Sequence, residues 1–154
     1  MRCEPRDFYT LDAKIDEVAR ALGVMDFGMD TDVTDLSGGQ RTKILLAKLL
    51  LEKPDILLLD EPTNYLDAEH IAWLKRYLQE YENAFVLISH DIPFLNDVIN
   101  IVYHVENQDL VRYAGDYDNF QSVYAMKKAQ LEAAYERQQK EIADLQDFVN
   151  RNKA

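Results

Sequence analysis

Cysteine is nearly missing from this chain: Cys3 is the only one among 154 residues. No internal disulfide can form, and the usage suits a reducing compartment. No apolar run approaches the roughly 20 residues needed to cross a bilayer. Met1-Arg2-Cys3-Glu4-Pro5-Arg6 has no apolar stretch behind it of the kind a secretory leader carries. The expected location is therefore cytoplasmic. Basic residues are also short, 17 Lys and Arg against 28 Asp and Glu, and the imbalance is uneven. Residues 1–126 carry 23 acids and 11 bases, a net of −12, while residues 127–154 carry 5 and 6, a net of +1. So acidic a body is a poor general nucleic-acid surface, because phosphate contacts need clustered Lys and Arg. The near-neutral end tolerates an RNA partner without demanding one.

Glycine is scarce too, at five residues, and this excludes one site outright. A phosphate-gripping loop requires Gly-x-x-x-x-Gly-Lys-Ser/Thr. Gly23 and Gly28 have the glycine spacing, but Met29 and Asp30 follow where Lys and Ser/Thr are needed. Without that lysine, and with aspartates nearby, this segment is expected to repel a triphosphate. The sequence contains no phosphate cradle of that type.

What is present reads as a folded α/β chain. The apolar share, 47%, argues against disorder, and the length suits one domain or a half-domain with an appendage. An amphipathic helix is expected over residues 11–22, with Ile15, Val18, Ala19 and Leu22 on one face and Gly23 as its stop. A loop rich in Asp follows, then a helix from about 40 to 52. Residues 55–59 and 84–89 are short continuous apolar runs, the pattern of parallel strands covered on both faces. A helix over 68–81 joins them as a strand-helix-strand unit. Strands near 101–106 and 110–113 flank Asn107-Gln108-Asp109, a hairpin turn. From about 117 glycine and proline vanish. Leu131, Tyr135, Gln138, Ile142, Leu145 and Val149 then recur at helical spacing, giving one long amphipathic helix whose stripe needs a partner.

Three motifs carry chemistry. Leu36-Ser37-Gly38-Gly39-Gln40 opens a helix, where close backbone approach, first-turn amides and the helix dipole all favour an anion. Taken alone, Ser-Gly-Gly is better read as a plain N-cap. The context changes that reading: Ile56-Leu57-Leu58-Leu59 runs into Asp60-Glu61-Pro62-Thr63-Asn64-Tyr65-Leu66-Asp67, and Phe85-Val86-Leu87-Ile88 runs into Ser89-His90-Asp91. Carboxylates at the carboxyl end of a buried strand sit where α/β sheets gather their ligands. Asp60 suits Mg²⁺, and Glu61 suits a general base that polarises water. His90 can donate to a phosphate, whereas His70 and His104 read as ordinary packed or surface histidines.

In this order the motifs resemble the second half of an ATP-binding-cassette (ABC) ATPase domain. Leu36–Gln40 looks like the signature, Ile56–Glu61 the Walker B segment, Asn64–Asp67 the D-loop, and Ser89-His90-Asp91 the switch-histidine loop. The run from Asp60 to Asp67 is similar to the ABC-F branch, with Tyr65 where that branch usually has His. Tyr113-Ala114-Gly115-Asp116-Tyr117 ahead of a long charged helix, and Phe148 to Ala154 near the tip of an interdomain linker, also resemble that branch. Within it the likeness is to the first cassette of the YbiT-like group.

The resemblance implies a partial P-loop NTPase fold: residues 1–35 a helical-subdomain remnant, 36–115 the catalytic half, and 116–154 a truncated linker helix. It implies ATP and Mg²⁺ as cofactors, with Asp60 on the metal and Glu61 and His90 catalytic. Ser37, Gly38, Gly39, Gln40 and Asp67 would contact nucleotide, the signature residues serving the ATP held by a second ABC domain. The implied partners are that second domain and the ribosome, through rRNA and tRNA, with no membrane span. Without a Walker A loop, or the upstream glutamine loop, the chain alone is expected to be inactive and to self-associate. The alternatives are a piece of a transporter's ATP-binding subunit, or a non-catalytic truncated interaction module.

Overall fold

The computed structural model describes residues 5–28 and 30–152, with side chains from residue 10 onward. Met29, which follows the Gly23–Gly28 spacing, and Lys153-Ala154, which close the linker-like segment, lie outside the described residues. The chain divides into two compact units, Met1–Val98 and Ile99–Ala154.

The first unit holds α1 (Pro5–Ala21), α2 (Gly38–Glu52), β1 (Ile56–Asp60), α3 (Ala68–Gln79), β2 (Ala84–Ile88) and α4 (Ile92–Val98). Gly23 stops α1 as its sequence suggests. It adopts φ +66 and donates to Arg20 O at 3.1 Å, while Val24 N reaches Ala19 O at 2.8 Å, a Schellman closure. β1 and β2 pair in parallel from Ile56↔Ala84 to Asp60↔Ile88. α1, α2, β1, α3 and α4 converge on one core of Val18, Leu22, Leu46, Ala47, Leu50, Leu57, Leu59, Leu74, Leu78 and Phe94.

The strands are not covered on both faces as their apolar runs suggest. β1 alternates, with Leu57 and Leu59 buried against the helices while Ile56 and Leu58 are 62% and 69% exposed. Val86 and Ile88 of β2 are exposed as well. Among the described residues, the helices pack on one side of this two-stranded sheet, so a pattern suited to two covers meets one. The short helix α4 escapes periodicity altogether. It is set instead by the Asp91 carboxylate, which accepts from Phe94 N at 3.0 Å, and by Pro93 in the first turn, where no amide donor is needed.

Tyr77 of α3 and Tyr81 just past its end tie this region to α2 and to the segment ahead of β1. Tyr77 Oη donates to Leu50 O and Tyr81 Oη to Pro54 O, each at 2.6 Å. Leu50 lies in the last turn of α2, where carbonyls lack an intrahelical donor. Burial pushes the Tyr77 phenol up from its ordinary value, with the neighbouring Tyr81 adding to the shift. Tyr77→Phe should cost about 1 kcal/mol at neutral pH. Above about pH 10 the unfolded tyrosine ionises first, so native stability falls as pH rises. The variant should lose that part of the alkaline slope, as read by urea unfolding at pH 8 and pH 10.5.

The second unit is β3 (Ile101–Glu106), β4 (Asp109–Ala114) and α5 (Tyr117–Arg151). The hairpin closes through Asn107 and Gln108, both at positive φ (51° and 68°), the backbone of a two-residue type I′ turn. Asp109 belongs to β4, paired with Glu106. The Asp116 side chain caps α5 by accepting from Asn119 N at 2.9 Å. Phe120 on the first turns of α5 is buried against Tyr113 (ring centroids 5.0 Å apart), His104 (5.2 Å) and Tyr124 (5.8 Å). Tyr124 Oη donates to Glu106 Oε1 at 2.7 Å. Beyond this joint the apolar residues Leu131, Tyr135, Ile142, Leu145, Phe148 and Val149 of α5 are exposed. No described helix is long and apolar enough to cross a membrane.

Candidate functional site

The parallel register brings Glu61 and His90 together. Glu61 N donates to Ile88 O at 2.8 Å, extending the ladder by one bond past β1. Glu61 then turns at φ +47, a left-handed conformation that costs a non-glycine residue about 1–2 kcal/mol. Such strain is retained where surrounding structure enforces it, often at functional sites. Here the enforcing structure is a pair of turns, Asn64 N to Glu61 O at 3.3 Å and Leu66 N to Thr63 O at 3.1 Å, around a buried Thr63.

The Glu61 side chain is 21% exposed, and its Oε1 is buried with no hydrogen-bond partner among the described residues. His90 Nε2 lies 3.5 Å from that oxygen, within ion-pair range should the imidazole protonate, but without hydrogen-bond geometry. The rest of the imidazole stands in solvent. Its neighbours are structural: Ser89 Oγ accepts from Asp91 N at 3.1 Å, and Asp91 caps α4. Asp60 ends β1 with its side chain exposed. A buried carboxylate oxygen without a donor, beside a histidine and one residue from a solvent-facing carboxylate, can order and polarise a water molecule.

In the Ser-Gly-Gly turn the structure shows the helix cap that Ser37 alone suggests. Ser37 is the N-cap of α2 in a capping box: Ser37 Oγ accepts from Gln40 N at 3.3 Å, and Gln40 Oε1 accepts from Ser37 N at 2.9 Å. Each of these side chains engages the other residue's backbone amide rather than Asp60, Glu61 or His90. The amides of Gly38 and Gly39 have no partner among the described residues, as expected for a first helical turn. Arg41 fixes the approach to the turn by donating to Leu36 O (3.0 Å) and Thr34 O (2.6 Å). Asp67 is the N-cap of α3, accepting from His70 N at 3.1 Å, and that bond holds its carboxyl below the usual range. His70 and His104 are partly buried, at 16% and 29% side-chain exposure.

Mg²⁺ at a nucleotide is held through one or two carboxylates plus phosphate oxygens and water. Among the described residues no group of three or more His, Cys, Asp or Glu could form a protein-only metal cage. A lone solvent-facing strand-end carboxylate, Asp60, fits the first demand.

One contact escaped sequence reasoning. The Tyr65 ring lies directly over Gly39. The available signal was the tyrosine itself, standing where the ABC-F pattern usually has histidine.

A family model described as "ABC transporter" matches residues 3–64, and a second with the same description, an extension model, matches 103–154. An uncharacterized ABC transporter ATP-binding protein, YfmM of Bacillus subtilis, is 74% identical over 148 residues, covering 96% of this chain and 29% of its own length. The energy-dependent translational throttle protein EttA of Haemophilus influenzae, an ABC-F protein, is 38% identical over 149 residues, 97% of this chain and 26% of its own. Among solved structures, the complex of an archaeal ribosomal stalk protein with the archaeal ribosome recycling factor aABCE1 aligns with TM-score 0.56 and 28% identity, covering 72% of this chain and 23% of that one. The chain thus spans between a quarter and a third of the length of these two relatives.

Proposed function

The chain belongs to the ABC-F family, and from that premise we propose that it supplies half of the catalytic apparatus of a cytoplasmic two-cassette ATPase that acts on the ribosome. The observation carrying this reading is the pairing of Glu61 and His90 at the carboxyl end of two parallel strands, with a buried Glu61 oxygen lacking a donor. Residues 1–35 would belong to the helical subdomain, 36–115 to the catalytic half and 116–154 to the interdomain linker. Glu61 is the general base, His90 the donor toward the terminal phosphate, and Asp60 the Mg²⁺ ligand. Ser37, Gly38, Gly39 and Gln40 present the first turn of α2 to ATP held by the second ABC domain, and Asp67 sets the D-loop through its cap on α3. Bound ATP supplies the phosphoryl group.

Support for a ribosomal role comes from EttA, named a translational throttle, and from aABCE1, named a ribosome recycling factor. The 35-residue helix α5 after the catalytic half suits an ABC-F linker better than a transporter subunit. The test is co-sedimentation of the two-cassette protein carrying Glu61→Gln with ribosomes in Mg-ATP. Recovery in the ribosomal pellet only with ATP supports the reading; recovery with membranes alone overturns it.

The isolated chain should not turn over ATP, because its sequence holds no Walker A loop. Its open sheet face of Ile56, Leu58, Val86 and Ile88 should instead drive self-association. Light scattering should show a mass that rises with concentration, and a strictly monomeric mass would refute this.

A further inference from the structure

Two glycines in one helical turn have different surroundings. A Cβ built on Gly38 meets nothing within 4 Å. A Cβ on Gly39 would stand 2.9 Å from Tyr65 Cδ1, 3.4 Å from Cγ and 3.5 Å from Cε1, too close for a real side chain. Gly39 lies in α2 at ordinary helical φ, so backbone conformation does not require glycine there. The requirement is space for the ring. Tyr65 in turn is held from both sides in sequence: Thr63 is buried, Leu66 packs on the core, and Asp67 caps α3. Tyr65 is 56% exposed as a residue, so burial in a core does not account for its placement.

We propose that Tyr65 is a positioning residue that props the Ser37–Gln40 turn, and that Gly39 is glycine in order to seat its ring. The prop links two places along one short covalent path. Glu61 begins the paired turns that carry Tyr65, and Tyr65 bears on the residue next to Gln40, whose side chain completes the Ser37 cap. The consequence for turnover rests on the proposed two-cassette ATPase, in which Glu61 and Ser37 serve different nucleotides. A displacement of the Glu61 turn then reaches the signature turn through the ring.

Hydrogen exchange in the 154-residue chain tests the contact without any nucleotide. The amides of Gln40 and Arg41 report the turn, because they bond to Ser37 Oγ and Ser37 O. Tyr65→Ala and Gly39→Ala should each speed their exchange about tenfold, while Gly38→Ala and Tyr65→Phe leave it near the parent rate. Adding Gly39→Ala to Tyr65→Ala should cause little further change, since the clashing ring has gone. Equal effects of Gly38→Ala and Gly39→Ala, or parent-like exchange in Tyr65→Ala, would overturn the proposal. In the two-cassette protein, Tyr65→Ala should lower kcat about tenfold with KM for ATP within about twofold, and Tyr65→Phe should restore it. Full kcat in Tyr65→Ala where Glu61→Gln abolishes turnover overturns the positioning role. Unchanged turnover in Glu61→Gln would instead remove the ATPase assignment and leave the exchange result to judge the contact.

Discussion

Glu61→Gln in the two-cassette protein should slow ATP hydrolysis by about 10²- to 10⁴-fold, the usual contribution of a positioned general base, while ATP remains bound. Glutamine has nearly the same shape, so the bond from residue 61 N to Ile88 O and the turns that follow persist. The left-handed backbone at this position costs glutamine about what it costs glutamate, so the fold should not shift. What disappears is an acceptor able to take a proton from water. The oxygen proposed for that role, the buried Oε1, has no donor of its own among the described residues and lies 3.5 Å from His90 Nε2. His90→Ala should slow turnover less, because the role proposed for the histidine is to orient the phosphate, not to take the proton. Phosphate release under single-turnover conditions, beside filter retention of ATP, separates the two steps. Parent-like release by Glu61→Gln would take Glu61 out of the base role.

Local rules made most of this fold legible. α2 begins at Ser37 because the capping box is written in Ser37 and Gln40, and β1 and β2 announce themselves as aliphatic runs. The sequence suggests a three-residue β3–β4 turn; the structure uses two, because Asn107 and Gln108 both take left-handed φ and Asp109 is free to pair. The pattern was ambiguous where burial depends on elements far away in sequence. An unbroken aliphatic run says that both faces of a strand can be buried, not that this chain buries both. Ile56 and Leu58 are exposed for that reason. α4 is illegible to periodicity because seven residues give too few turns, although Asp91 and Pro93 mark its start. Ser37 shows a different limit. Its hydroxyl serves the helix cap, so a residue type that suits a phosphate is also one that suits a backbone amide. Tyr65 on Gly39 is a contact between segments 26 residues apart, so the unusual tyrosine marks one side of it while no local pattern names its partner.

Phe120→Ala should unfasten the β3–β4 hairpin from α5, at a cost of about 3–5 kcal/mol. Phe120 is 5% exposed and Tyr113 8%, and these are the buried hydrophobic residues of the second unit among the described residues. A joint with so few buried groups has little else to hold it. Phe120 is the ring the others share: Tyr113 meets it nearly edge-on at 70°, and His104, Tyr117 and Tyr124 stand within 5.2–5.8 Å. Lys127 lies over the Tyr113 ring at 4.6 Å, but such a contact at an exposed site is worth about 0.5–1 kcal/mol and cannot replace the lost ring. Tyr124→Phe removes only the bond to Glu106, which lies at an exposed site, and should cost much less than loss of the ring. The expected order of hairpin amide exchange is therefore parent slowest, Tyr124→Phe intermediate and Phe120→Ala fastest. Trp73 lies in the first unit, so its fluorescence checks that this unit is folded in each variant. If Phe120→Ala exchanged no faster than Tyr124→Phe, the hydrogen bond rather than the ring would be what fixes the direction in which α5 leaves the hairpin.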